Sequence, residues 1–231
     1  MGLGPWTLVC EGAAAQMALG RAGLLESRPA VRRAKLPRSD ALPPYGELLR
    51  PVRALLDIQE CHSPGHAARV ATLAERLAER LGLGPNQRLH LRLASLVHDL
   101  GKACVPASVL AKPAPLTAEE RQLVQQHPVL SAAIVGLITD RRDVVEAVLH
   151  HHEWWDGTGY PHGSRGEEIP LLARILCLVD SYDAMTCDRP YRPRPLTSEE
   201  AQAELAWGAG TQFEPALVRL FLAVMAGAVL M

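Results

Sequence analysis

Histidine and aspartate recur on the inward side of helical apolar stripes through the middle of the chain: His66, the pair His98 and Asp99, His127, the pair His151 and His152, and Asp180. A carboxylate among leucines and valines is costly to bury unless charged partners compensate it. A fold that buries these stripes must therefore bring the seven side chains to a shared partner. Neutral imidazoles with carboxylates and no cysteine are the donor set of two adjacent divalent transition metals. The chemistry implied is metal-assisted hydrolysis, and the lysine and arginines nearby point to a phosphate ester.

The stripes themselves predict an all-α, multi-helix bundle, since from Tyr45 onward no stretch sustains strand alternation. Ser63 as N-cap and Pro64 in the first position should start a helix burying His66, Val70, Leu73, Leu77 and Leu81, with Glu75, Arg76, Glu79 and Arg80 left to solvent. The next helix should run from about Asn86 to Leu100. It is apolar on most of its circumference and so central, with His98 and Asp99 in its last turn and Gly101 as terminator. Thr117 to Glu120 has the form of a capping box. The helix it opens carries Leu123, His127, Leu130 and Ile134 along one side, and Pro128 should kink it. Around Val144 to His152, His151 and His152 straddle the stripe of Val148, and His150 points away. From about Pro170 to Met185, Ala173, Leu176, Asp180 and Asp183 share a face. Between these helices, Asp156 to Gly163 holds three glycines and a proline and cannot be regular helix. It is placed to form a lip over the metals.

Composition narrows the partners. With Lys+Arg 24 against Asp+Glu 25, the chain has no basic excess with which to hold a nucleic-acid duplex. Its five cysteines, Cys10, Cys61, Cys104, Cys177 and Cys187, form no C-x-x-C pair and fit a reducing, cytoplasmic compartment. The N-terminal run MGLGPWTLVC lacks the pattern of a signal peptide. The apolar stretch from Leu220 to Met231 is too short to span a bilayer and reads as a core helix. Residues 1–44, with Arg28, Arg32, Arg33, Lys35 and Arg38 followed by Pro43 and Pro44, read as a short accessory segment; residues 45–231 read as the working domain.

Five runs carry a resemblance to a known family: HDLGK from His98, His127 with Pro128, HHEWWDGTGYP from His151, DSYDAMTCDRPYR from Asp180, and GTQFEP from Gly210. In order and spacing, over roughly His62 to Leu222, the chain resembles the HD-GYP proteins, bacterial cyclic di-GMP phosphodiesterases of the HD metal-dependent hydrolase superfamily. The resemblance implies that His66, His98, Asp99, His127, His151, His152 and Asp180 ligate two divalent metals, iron or manganese, with Asp99 bridging them. It further implies that Lys102, Arg189 and Arg192 bind substrate phosphate, and Gly159-Tyr160-Pro161 matches the naming motif. Lys102 is placed to stabilise charge in the transition state, and Tyr160 reads either as a substrate contact or, with Pro161, as a stiffener of the loop. Relatives with a third metal place a glutamate where this chain has His62, so His62 bears on the metal count. Glu153 and Asp183 either add a ligand or orient one.

The expected reaction is hydrolysis of cyclic di-GMP to pGpG, and onward to GMP, by attack of a metal-bridging hydroxide. Two alternatives stand beside it: a silent module that binds cyclic di-GMP or a diguanylate cyclase or other signalling protein, as monomer or oligomer, and a phosphohydrolase of another nucleotide, such as a hybrid cyclic dinucleotide or a guanosine polyphosphate. His90, His150 and His162 read as ordinary core or surface histidines. Trp154 and Trp155 read as packing, with a nucleobase pocket as the competing use.

Overall fold

A computed structural model describes residues 65–188 and 194–227. The expectations for residues 1–44, for His62, Ser63 and Pro64, and for Arg189 and Arg192 fall outside the described residues. Those that remain form nine α-helices and two short 3-10 turns with no strand, as the apolar periodicity requires.

Helix α1 (His66–Arg80) buries His66, Val70 and Leu77 together with Ala67, Ala71, Ala74 and Ala78. Its N-cap is Gly65, in a left-handed conformation (φ 76), so the helix begins later than a Ser63 cap would set it. Helix α2 (Pro85–Val97) opens on Gly84, whose N–H is accepted by the Gln87 side chain, with Pro85 in the position where a missing N–H costs nothing. The small alanines of α1 let it pack closely on α2.

Helix α2 is not the central element that its composition suggests: Asn86, Gln87, Leu89 and Arg92 face solvent. That place belongs to α7 (Leu171–Thr186), which buries Leu172, Ala173, Ile175, Leu176, Cys177, Leu178, Val179, Tyr182, Asp183 and Met185. It packs against α1, α2, α6 (Arg142–Leu149), α8 (Ser198–Trp207) and α9 (Pro215–Met225). A helix apolar almost all round has no solvent face to offer and must be enclosed.

Helix α2 also stops before the expected last turn. His98 is its C-cap and Asp99 lies beyond it, followed by a 3-10 turn (Leu100–Cys104) and the short α3 (Ala107–Leu110). Gly101 does not end the helix by a left-handed turn. A Cβ there would lie 2.3 Å from the His127 carbonyl oxygen and 2.7 Å from the Ser131 nitrogen, so glycine lets the 3-10 turn lie against the backbone of α5 (His127–Ile138).

The capping box forms as expected: Thr117 Oγ1 accepts from Glu120 N–H (3.2 Å), and Glu120 accepts from Thr117 N–H (2.7 Å). The helix it opens is two helices, α4 (Ala118–Gln125) and α5 (His127–Ile138). Pro128 cannot donate to the preceding turn, so the expected kink is a junction, and His127 becomes the first residue of α5. Leu123, expected inside, is 42 % exposed.

Helix α6 (Arg142–Leu149) ends short of the histidine pair, which occupies the following turn. His150 points away from the pair's stripe, as expected: it is half-buried and faces His162 across the loop. The segment from Asp156 to Gly163 contains no helix, as expected. Helices α8 (Ser198–Trp207) and α9 (Pro215–Met225) close the bundle, α9 burying Leu217, Val218 and Phe221. No helix among the described residues is long and apolar enough to cross a membrane.

Candidate metal centre

The seven expected ligands come from five different places along the chain and converge. His66 stands at the start of α1, His98 and Asp99 at the end of α2, His127 at the start of α5, His151 and His152 just past α6, and Asp180 in the third turn of α7. One potential ligand atom from each of His66, His98 and Asp180 lies within 4.8 Å of the others, and the same holds for His127, His151 and His152.

Asp99 stands between the two triads. Its Oδ1 is 3.2 Å from His127 Nε2, while its Oδ2 is 3.4 Å from His98 Nε2 and 3.9 Å from His66 Nε2. One oxygen thus faces each half, which is the arrangement a bridging carboxylate needs. Lys102, three residues on, donates from Nζ to Asp99 Oδ2 at 2.6 Å.

The imidazoles are held by their own backbone. His98 Nδ1 donates to the Ser95 carbonyl (2.9 Å), His127 Nδ1 to the Val124 carbonyl (2.7 Å) and His151 Nδ1 to the Val148 carbonyl (2.6 Å), each three residues back. A proton on Nδ1 leaves the Nε2 lone pair of each neutral ring aimed at the centre. His66 is held by a side chain instead: its Nδ1 donates to Asp183 Oδ2 at 2.7 Å, and Asp183 also accepts from Arg69 Nε (2.7 Å) and Nη2 (3.0 Å). Asp183 therefore orients a ligand from behind.

The centre is rich in lone pairs and poor in donors. His127 Nε2 is 3.3 Å from His151 Nε2 as well as 3.2 Å from Asp99 Oδ1, three acceptors aimed at one another once both rings carry the proton on Nδ1. His66 Nε2, His98 Nε2 and Asp99 Oδ1 are buried without a hydrogen-bond partner. Unpartnered buried polar atoms are rare in folded proteins, and a cation is what this set lacks. The residues fit paired divalent ions.

Burial opposes charge on His66, but Asp180 and Asp183 raise its pKa to about 9. Burial likewise opposes charge on His98, and Asp99 and Asp180 carry it well above the ordinary histidine range. Asp99 and Asp180 are held well below the usual carboxylate range: burial works against them, outweighed by His98 and Lys102 for Asp99 and by His66 and His98 for Asp180. On the opposite side, burial and then His127 push His152 down to about 3. Burial and its neighbouring imidazoles also lower His151.

The Gly-Tyr-Pro loop folds back over this wall. Tyr160 N–H donates to the His152 carbonyl (3.1 Å), and its ring stacks on the His152 imidazole with centroids 4.9 Å apart. A Cβ at Gly159 would lie 2.3 Å from the Trp154 nitrogen, so the loop can close only with glycine there. Glu153, expected to orient a ligand or add one, does neither for the seven. Its buried carboxylate accepts from the backbone N–H of His162 (2.7 Å) and Ser164 (3.1 Å), pinning the loop. Trp155 packs: its backbone N–H donates to the Gln212 carbonyl and its ring lies under the Arg174 guanidinium, 5.7 Å away. The GTQFEP run is thereby tied to the loop from behind, with Arg174 donating to Glu214 at 2.6 Å.

Two contributors escaped the sequence reading: Arg69 buttresses Asp183, and Ser131 Oγ accepts the buried Gly101 N–H at 2.7 Å. Arg69 lies three residues beyond His66 and Ser131 four beyond His127, so helical spacing alone places each beside its ligand.

The HD domain family model matches residues 50–217. The chain is 35% identical over 179 residues to a cyclic di-GMP phosphodiesterase of Thermotoga maritima, covering 76% of this chain and 48% of that one. It is 36% identical over 178 residues to the 3'3'-cGAMP-specific phosphodiesterase 2 of Vibrio cholerae, covering 76% and 34%. The chain thus spans about half or less of the length of these relatives. Among solved structures, a cyclic GMP-AMP specific phosphodiesterase of Vibrio cholerae superposes with a TM-score of 0.61 at 21% identity, over 78% of this chain and 48% of the other. An HD-GYP protein of Bdellovibrio bacteriovorus gives 0.60 at 23% identity, over 70% and 52%. At those identities the likeness is one of fold.

Proposed function

The chain belongs to the HD domain family, and from that premise we propose that it is a metal-dependent phosphodiesterase that opens cyclic di-GMP to pGpG and carries it on to GMP. The observation that carries the reading is Asp99, one oxygen turned to each of two triads of ligand atoms, with Lys102 against it.

His66, His98 and Asp180 would hold one divalent ion, His127, His151 and His152 the other, and Asp99 both; iron and manganese suit this imidazole and carboxylate set. When bound, the pair supplies an activated water and neutralises the phosphate oxygens. The chain's own groups do the rest. The backbone carbonyls behind His98, His127 and His151 fix the rings, and Asp183 fixes His66. Lys102 stabilises the charge that grows on the phosphoryl oxygens, a role for a preorganised cation in a half-buried site. Tyr160, seated on His152, closes the wall of the substrate pocket. Arg189 and Arg192 grip the second phosphate through their planar forks.

Hybrid cyclic GMP-AMP is the second reading, favoured by the relative named specific for it. The test puts cyclic di-GMP and 3'3'-cyclic GMP-AMP in one reaction with protein loaded anaerobically with iron or manganese, and separates the products by chromatography. Preferential loss of cyclic di-GMP with pGpG and GMP appearing is the expected result. No turnover of either with iron, manganese, nickel or cobalt under reducing conditions overturns the hydrolase reading.

A further inference from the structure

Outside the seven-residue centre, a second group of metal-binding side chains lies on the loop side of the histidine turn. One ligand atom from each of His150, Glu153 and His162 lies within 4.8 Å of the others. The His150 and His162 rings face each other with centroids 5.2 Å apart, and His162 Nδ1 is 3.8 Å from Glu153 Oε1, beyond hydrogen-bond reach. His150 Nδ1 donates to the Glu146 carbonyl (3.1 Å), which leaves Nε2 of the neutral ring with its lone pair. The Glu153 carboxylate is fully buried, and among the described residues His162 is its only ion-pair partner. Each of its oxygens accepts one backbone N–H and keeps further acceptor capacity.

We propose that His150, Glu153 and His162 form a separate binding site for a zinc-class divalent ion, zinc, copper or nickel, whose occupation ties the Tyr160–Ser164 stretch to the histidine turn. Two imidazoles and one carboxylate with a position left for water are a complete tetrahedral donor set for such an ion, and imidazole selects this class over hard cations. Ligand atoms of a tetrahedral site stand about 3.4 Å apart when metal bonds are about 2.1 Å. The contraction falls on His162, whose side chain is 55% exposed and can turn without disturbing the core. Glu153 already holds His162 and Ser164 through their N–H groups, so an ion between the side chains joins the same two segments a second time.

The site does not rest on the phosphodiesterase reading, and its test counts metal rather than turnover. Zn2+ is titrated by equilibrium dialysis into the full chain, His162→Ala, His150→Ala, Asp99→Ala and Asp99→Ala/His162→Ala. His162→Ala and His150→Ala are expected to bind one equivalent fewer than the parent, and Asp99→Ala to lose that further equivalent on adding His162→Ala. Zn2+ is also expected to raise the melting temperature of the parent further than that of His162→Ala, since zinc exchanging into the seven-residue centre acts on both alike. Should His162→Ala and His150→Ala keep the parent's zinc stoichiometry and affinity, the site does not exist; if Asp99→Ala does not fold, the comparison of these two with the parent decides alone.

Discussion

Replacing Gly101 by alanine tests whether the metal centre depends on how closely two stretches of backbone approach. The added Cβ would stand 2.3 Å from the His127 carbonyl oxygen, 2.7 Å from the Ser131 nitrogen and 2.8 Å from Leu130 Cβ. The first two are main-chain atoms of α5 and cannot swing aside. Restoring ordinary contact requires a separation on the order of 1 Å between the 3-10 turn and α5, and a displacement of that size at a reacting group can cost about 100-fold in rate. The same movement breaks the buried Gly101 N–H bond to Ser131 Oγ. Overpacking costs about 1–3 kcal/mol, and stranding the buried donor adds about 1–3 kcal/mol. With the two effects additive, Gly101→Ala should lose about 2–6 kcal/mol in urea unfolding. It should also retain less metal, because His127 moves away from Asp99. Ser131→Ala is the control: it strands the same N–H without the steric push, and should lose stability while keeping its metal. If Gly101→Ala unfolds within about 0.5 kcal/mol of the parent, as an innocuous substitution would, and binds its full complement of metal, the close-approach argument is wrong.

Asp99→Ala is expected to lose at least one metal and nearly all turnover while circular dichroism stays helical; full activity would show that Asp99 does not bridge. Asp183→Asn weakens the hold on His66 Nδ1 and Arg69 without touching a candidate ligand, and should lower metal affinity about 10–100-fold by competition with a chelator. An unchanged affinity would remove Asp183 from the machinery. In the metal-free protein His66 has a pKa of about 9 against 6.5 unperturbed, so its contribution to stability is full below pH 6.5 and lost as pH rises through about 9. Urea midpoints of metal-free protein should fall over that interval. Binding of Mn2+ at pH 7.5 should release at least one proton, read as a dependence of the calorimetric heat on the ionisation enthalpy of the buffer. No such dependence would mean that His66 and His98 are already neutral.

The sequence made most of the site visible because the ligands ride on apolar stripes whose period is set by the helix. His66 and Asp180 lie four residues from Val70 and Leu176, so the same burial that hides those two turns them inward. The Thr117 capping box was equally plain, since it is a contract between near neighbours. What escaped depends on contacts distant in sequence. Gly101 resembles a helix terminator until α5 is known to lie against it, and Glu153 resembles a ligand's partner until the loop returns to offer it two N–H groups. The centrality of α7 over α2 was hidden for a related reason. Leu89 on α2 is as apolar as Leu178 on α7, and only the packing of neighbours decides which one meets water. Pro128 announced a disturbance without saying whether the helix would bend or part.

The imidazoles of His98, His127 and His151 are each tethered to the peptide carbonyl one helical turn behind. An arriving ion finds rings already parked, so little rotamer freedom remains to be surrendered on capture. Such rigidity is indifferent to identity: first-row ions of similar radius meet the same waiting nitrogens, and the stronger binders of the series outcompete the weaker whenever both are present. A preparation stripped and reconstituted with one chosen ion is therefore the proper starting point for comparing rates.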